Sequence, residues 1–464
     1  MTIKKDLQFF LFFIVILALL TNNSILSWND ASRMATIESL VDHHSFVIDN
    51  SRFFTGDKYF YQGHFYSDKP PILALYGSIF YFLLKSIGIT FNNNSGLTCY
   101  LLVLLIVGVS TCIGLVYFYK TLKFIEVDDK WINVLMVVTA TGTLLLPFST
   151  VLNNHTVSGA LLIVAFYYLL RIKESLKYAF ISGLLIALAG SIDITVFLFI
   201  PFSIIVLFDK PLKSKIAFIS ACIPVLFIYF LLNLYISGSL TPPAMNKALW
   251  DYPGSIFNQN NLTGVSSQSN IFVVVKYAFN MVIGNRGLIS HTPLLVFSIF
   301  GFAKVLFRQE FKYRQEYLFI LLASLAYILM YVFRSTTYSG ASFGIRWYAE
   351  LMFLLCLPLA HIDEEIKNSR RFSSWFIVIA FSSIIISFIG VINPYVEAYT
   401  KAFSFINCLI DATKSPISSK LRLILVTMPL MCCILFIMFK FLQVVKKNPE
   451  LSRSYNNSNN NNID

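Results

Sequence analysis

Residues 28–71 read WNDASRMATIESLVDHHSFVIDNSRFFTGDKYFYQGHFYSDKPP, and they follow the first hydrophobic segment almost directly. Asp30, Glu38, Asp42, Asp49, Asp57 and Asp68 lie here among tyrosines and histidines. Arg33 comes three residues after Asp30, and Lys69–Pro70–Pro71 follow Asp68. The rest of the chain is poor in charge. Ionisable groups gathered beside a membrane-like segment point to chemistry on a charged headgroup at the membrane surface.

The composition sets the setting for that chemistry. Of 464 residues, 56% are hydrophobic and 13% are charged, whereas a soluble protein carries about 25% charged residues. The mean hydropathy is +0.69. Many windows reach the roughly 20 apolar residues that cross a hydrocarbon core. The fold expected is all-α and integral to the membrane: a polytopic helical bundle of about 12 transmembrane helices. The high Phe and Tyr content fits lipid-facing bulk and interfacial belts. A net charge of +12 does not imply nucleic acid, because the Lys and Arg residues fall in short loops between hydrophobic segments. Cys99, Cys112, Cys222, Cys356, Cys432 and Cys433 lie in apolar segments without zinc-like spacing. They read as small apolar side chains, not as disulfides or a metal site.

Candidate crossings fall near 7–26, 98–120, 131–148, 155–171, 177–190, 193–208, 215–236, 287–307, 317–333, 345–361, 373–392 and 422–442. The N-terminal segment resembles a signal peptide but lacks a convincing cleavage site, so it reads as a retained signal-anchor helix. Lys4 and Lys5 place the N-terminus in the cytoplasm. Segment 71–88 is apolar enough to cross. If it lies instead in the interface, the basic loops at 120–130, 171–177, 209–215, 304–316 and 361–371 and the Lys446–Lys447 tail all fall on the cytoplasmic side. The charge bias therefore predicts an interfacial helix started by Pro70–Pro71. The external side then receives 28–97, 148–155, 237–286, 334–344 and 393–421. The organisation expected is an N-terminal transmembrane catalytic module over 1–236 with its external loop 28–97, an external lid over 237–286, C-terminal transmembrane helices over 287–445, and a disordered cytoplasmic tail over 446–464. The localisation expected is a multi-pass cell-membrane protein with both termini cytoplasmic.

At YSDKPP the pattern resembles a known class. The order is one signal-anchor helix, an acid just outside it in a D-x-x-R arrangement (Asp30, Arg33), a juxtamembrane helix, and DKPP at Asp68–Pro71. This is similar to the GT-C class of membrane glycosyltransferases, in particular the lipid A aminoarabinose transferases and the protein O-mannosyltransferases. NRGLISHTPLL at Asn285–Leu295 and YSGASFGIRWYAELMFLLCLP at Tyr338–Pro358 also resemble bacterial members. The resemblance implies a GT-C-like fold and transfer of a sugar from a polyprenyl-phosphate-linked donor on the non-cytoplasmic face. The acceptor would be a lipid, a glycan or a protein, and membrane lipids would be further partners. Many relatives have Asp-Glu where this chain has Asp30–Ala31, a departure at the position of the expected base.

The chemistry fits the residues themselves. An acceptor hydroxyl must lose its proton, and a carboxylate at the membrane surface can take it. Asp30 is the first candidate for that catalytic base; its alternative is an N-cap of the helix MATIESLV. The phosphate leaving group needs cations, and Arg33, Lys69 and Arg346 are the donor-phosphate candidates. Arg346 could instead pair with Glu350 at i,i+4. Asp49, Asp57, Asp68, His64 and His155 are supporting or alternative groups. His155 stands in the loop 148–155, where relatives carry a second acid, and Asp193 is a carboxylate near an outer helix end. The histidines show no metal-ligand spacing, so no metal site is assigned; a divalent cation bridging the carrier phosphate to a carboxylate stays open. The competing class is a polytopic transporter or lipid flippase. It would place charges near the bilayer midplane, often within an internal repeat, and neither feature is evident.

Overall fold

In hydrocarbon, every backbone N–H and C=O must be bonded within its own segment, and the chain is accordingly helical nearly throughout. The computed structural model describes residues 4–258, 260–267, 270–308, 311–397, 402–414 and 416–446. Beyond Lys446 the expected tail lies outside the described residues. The helices are α1 (Lys5–Leu20), α2 (Trp28–Asp42), α3 (Pro71–Ser86), α4 (Phe91–Phe124), α5 (Asp129–Thr141), α6 (His155–Leu170), α7 (Leu176–Ile192), α8 (Ile194–Leu207), α9 (Leu212–Ser237), α10 (Ile271–Val282), α11 (Leu295–Phe307), α12 (Arg314–Arg334), α13 (Arg370–Ile392), α14 (Ser404–Lys414) and α15 (Ile417–Val445).

Five of these, α4, α9, α12, α13 and α15, are long and apolar enough to cross a membrane among the described residues. The chain is an integral membrane protein of helical architecture. Most of the other expected crossings take the form of shorter apolar helices of 10–17 residues. The segment expected to cross at 345–361 is a string of short turns, Arg346–Leu351, Met352–Cys356 and Leu357–His361, interrupted at Pro358 and buried from Trp347 to Ala360. Its backbone is irregular because it lies inside protein, not against lipid. The long helix α4 begins at Phe91, with a break in its helical geometry at Asn94. The expected lid also contains a helix of its own, α10.

The all-α expectation has one exception. In the loop between α2 and α3, β1 (Lys58–Tyr61) pairs antiparallel with β2 (His64–Ser67), in the register Lys58↔Ser67 to Tyr61↔His64. Alternating aromatic residues favour strand. The two-residue connection Gln62–Gly63 has φ of 50° and 87°, the twist that closes a tight hairpin. Tyr59, Leu249, Trp250 and Leu262 form a small external core beneath the hairpin. Tyr59 also donates to the Ile236 carbonyl in the last turn of α9 at 3.1 Å, and Tyr252 donates to the Lys58 carbonyl at 3.0 Å, so the hairpin packs on both α9 and the 237–286 segment. Helix α3 starts at Pro71, whose fixed φ suits a first helical position. It packs Leu73, Tyr81 and Leu84 against Met34, Ile37 and Val41 of α2.

Candidate active site

The hairpin's register builds the first half of the site. Asp57 immediately precedes β1 and Asp68 immediately follows β2, so the Lys58↔Ser67 pair sets the two acids side by side at its open end. Lys69 Nζ lies 2.7 Å from Asp57 Oδ2 and 2.9 Å from Asp68 Oδ2. Ser32 of α2 donates to the Asp57 carbonyl at 2.6 Å and meets the Ser67 hydroxyl at 2.6 Å, which pins the helix to the base of the hairpin. Burial works against charge on Asp57, but Lys69, with Arg346 and Arg33 beyond it, holds its carboxyl below the ordinary carboxylate range. Burial pushes the Asp68 carboxyl above that range; Lys69 opposes the rise and the Asp57 carboxylate adds to it. Asp68 Oδ1 is buried without a hydrogen-bond partner among the described residues.

Helix α2 contributes Arg33 and turns Asp30 away. Ser27 caps the helix, and Asp30 completes a capping box. The Asp30 carboxylate accepts from the Leu26 and Ser27 amides at 2.9 and 2.8 Å, from the Ser27 hydroxyl at 2.9 Å, and from the Ala31 amide at 3.1 Å. Burial raises its pKa against these hydrogen bonds. Arg33 donates to Asn29 and to the side-chain oxygen of Asn154.

Arg346 enters from the opposite side. The segment before it turns back at Thr337–Gly340, where the Gly340 amide donates to the Thr337 carbonyl at 2.8 Å. Tyr338 and Ser339 at the centre of that turn have φ of 50° and 64°, a conformation that costs a non-glycine residue about 1–2 kcal/mol. The Arg346 guanidinium makes no hydrogen bond among the described residues. Its Nε is buried without a partner, and its carbon lies 5.9 Å from the Tyr395 ring centre. The alternative pairing with Glu350 does not form, because Glu350 is taken by His155 and Tyr327.

Arg33, Lys69, Arg346, Asp57 and Asp68 line one cavity of about 680 Å³. Pro242, Trp250 and Phe257 of the lid roof it, and Trp347 and Tyr395 flank it. Behind the cations runs a buried network that the sequence only hinted at. Asn154 receives Arg33 and donates to Asp193 Oδ2 at 2.7 Å. His155 Nδ1 lies 3.1 Å from Asp193 Oδ2 and 2.8 Å from Glu350 Oε1. Tyr327 donates to Glu350 Oε2 at 2.8 Å. His155, Asp193 and Glu350 offer ligand atoms that all lie within 4.8 Å of one another, the only such group among the described residues. One imidazole and two carboxylates suit a divalent ion, and they equally suit a histidine held by two acids.

The structure therefore gathers Arg33, Lys69, Arg346, Asp57, Asp68 and His155 around one cavity and leaves three predicted residues off its wall. Asp30 is directed at its own helix cap. Asp49 and His64 pair at 2.7 Å on the outer face of the hairpin, and Asp49 also takes the Phe65 amide. Sequence reasoning noted Asp193 as a buried acid but saw Glu350 only as a neighbour of Arg346. Its signal was that of a carboxylate within an otherwise apolar run.

Fold and cavity together define a helical integral membrane protein with a cation-lined cavity between the 28–71 loop and the 237–286 segment. No protein-family model matches the sequence, and no curated protein matches it significantly. Among solved structures, the chain is similar to ArnT from Cupriavidus metallidurans, crystallised bound to undecaprenyl phosphate, with 11% identity and a TM-score of 0.49 over 95% of this chain and 76% of that one. It is also similar to the archaeal oligosaccharyltransferase AglB from Archaeoglobus fulgidus, in complex with an inhibitory peptide and a dolichol-phosphate, with 12% identity and a TM-score of 0.46. That likeness covers 90% of this chain and 59% of that one. Neither likeness carries a residue's role across.

Proposed function

We propose that the protein is a glycosyltransferase of GT-C type that moves a sugar from a polyprenyl-phosphate-linked donor to a lipid, glycan or protein acceptor on the non-cytoplasmic face. The observation that carries this reading is the convergence of Arg33, Lys69 and Arg346 with two carboxylates on one roofed cavity. Three cations suit a lipid phosphate and the charge that grows on it as the glycosidic bond breaks. A carboxylate within the same cavity can take the proton of an incoming hydroxyl. Asp68 is the base this arrangement favours, because it has a free oxygen and a carboxyl raised above the ordinary range. Asp57, held ionised by Lys69, steadies that cation. Asp30 serves the fold of α2. The motif resemblance at Asp30–Arg33 and Asp68–Pro71 supports the same class. A divalent ion at His155, Asp193 and Glu350 would add a further positive charge behind Arg33.

Purified protein in nanodiscs, given a panel of radiolabelled polyprenyl-phosphate sugars, tests the reading. One donor is consumed by the wild type, and Lys69→Ala and Asp68→Asn each reduce turnover about 10²-fold or more. If Asp30→Asn abolishes turnover in a folded protein that still binds donor, the base returns to Asp30. If folded wild type consumes no donor, even by hydrolysis, the glycosyltransferase reading fails.

A further inference from the structure

Two motifs remain without a role in this scheme, NRG at Asn285–Gly287 and YSGASFG at Tyr338–Gly344, and the fold brings them together. One Nη of Arg286 donates to the carbonyl oxygens of Gly340 at 2.5 Å and Tyr338 at 3.3 Å. The Tyr338 ring packs on Tyr277, with centres 4.2 Å apart, and its amide donates to the Tyr277 hydroxyl at 3.0 Å. At the far end of the motif, the Gly344 amide donates to the Ser404 hydroxyl at 2.9 Å, and His291 Nε2 meets that hydroxyl at 2.6 Å. The loop is thus clamped at both ends by side chains that do not reach the cavity.

The clamp fixes which backbone groups are occupied. The carbonyls of Tyr338 and Gly340 are committed to Arg286. The amides of Ser339 and Ala341 have no acceptor among the described residues, although Ser339, Gly340 and Ala341 line the cavity. The Ser339 hydroxyl accepts from the Arg346 amide at 3.2 Å, which ties the turn to a cavity arginine whose guanidinium makes no hydrogen bond among the described residues. A tight turn that spends two carbonyls on an arginine and leaves the amides on either side of Gly340 without an acceptor among the described residues is suited to an anion.

We propose that Ser339–Ala341 is a backbone anion-binding turn that completes, with Arg346, the seat of the donor phosphate, and that Arg286 is its positioning residue. This rests on the lipid-phosphate donor reading above and deepens it. It assigns the phosphate to the Arg346 side of the cavity, while Lys69 is held by its two acids. A hydrogen bond from an amide to a charged oxygen is worth about 1.5–3 kcal/mol, so losing one weakens binding about tenfold or more.

Binding of undecaprenyl phosphate and of the uncharged alcohol undecaprenol, to protein in nanodiscs, separates a phosphate seat from general lipid affinity. Ala341→Pro removes one amide donor, and Arg286→Gln frees the turn. Each is expected to weaken undecaprenyl phosphate binding about tenfold while leaving undecaprenol binding unchanged, with Arg286→Lys keeping most of the affinity. Only variants whose thermal unfolding stays close to wild type are compared, and Arg286→Gln carries the test if Ala341→Pro does not fold. The proposal is overturned if folded Arg286→Gln binds the phosphate as wild type does while Arg346→Gln loses it; the donor reading then survives. If wild type does not prefer the phosphate over the alcohol, both fall.

Discussion

Asp68 and Asp57 are separated by eleven positions in sequence and share one lysine, yet their carboxyls are driven in opposite directions. Burial raises Asp68, with Asp57 adding to the rise, whereas Lys69 and two arginines hold Asp57 low despite its burial. The sign of the pH effect follows. A base must be ionised to accept a proton, so Asp68 works above its own raised pKa and is lost as pH falls through it. Turnover is expected to decline on the acid side with an apparent pKa above the ordinary aspartate value of about 3.9. That limb disappears from the residual activity of Asp68→Asn. A pH profile of kcat/KM checks this; an acid limb unchanged in Asp68→Asn assigns the titrating group elsewhere. The same residues show how far sequence reading reaches. Lys69 and Arg33 were legible as phosphate candidates from residue type and place. Asp30 was ranked above Asp68 because its place three residues before Arg33 suited a base as well as a helix cap, and the fold turns its carboxylate onto the start of its own helix.

At the scale of the element, α2 and the hairpin do different work. Helix α2 is a rigid wall whose start depends on the reciprocal cap between Ser27 and Asp30. Asp30→Ala removes four accepted hydrogen bonds and is expected to cost about 1–2 kcal/mol, as loss of an N-cap partner does. Asp30→Asn keeps one acceptor oxygen and costs less. Thermal unfolding of the detergent-solubilised variants reads the difference, and equal stability of Asp30→Ala and wild type contradicts the structural role. The capping alternative was legible in part: the sequence placed Asp30 at the N-cap of MATIESLV, whereas the helix starts at Trp28, Ser27 is its N-cap and Asp30 is its third residue. The hairpin was not foreseen. Its aromatic alternation is short, and it sits in a chain whose dominant periodicity is helical. Its value to the site comes from register, which is fixed only when the turn at Gln62–Gly63 closes.

At the scale of the whole molecule, the cavity lies where the 28–71 loop and the 237–286 segment converge over the helix ends. His155 and Asp193 come from the starts of α6 and α8, and Arg346 comes from a buried broken segment near α12. The charge bias of the loops predicts that this face lies outside. Membrane-impermeant maleimide applied to intact cells is expected to label Asn50→Cys in the first external loop and not Lys173→Cys in the loop after α6, each in a background lacking Cys432 and Cys433. The reverse pattern inverts the topology and moves the site to the cytoplasmic face.

The sequence by itself determined the solvent of this protein and the kind of its fold, because hydropathy and loop charge act locally and add along the chain. It also marked the loop that supplies Arg33, Asp57, Asp68 and Lys69 to the cavity wall. Only the tertiary structure decided which groups meet. Asp57 and Asp68 are joined through strand register, Asn154 links Arg33 to Asp193, and Glu350 abandons its helical neighbour Arg346 for His155 across 195 positions. These choices depend on packing between segments far apart in sequence. A buried carboxylate takes whichever partner the packing brings within about 3 Å, and spacing along the chain carries no record of that.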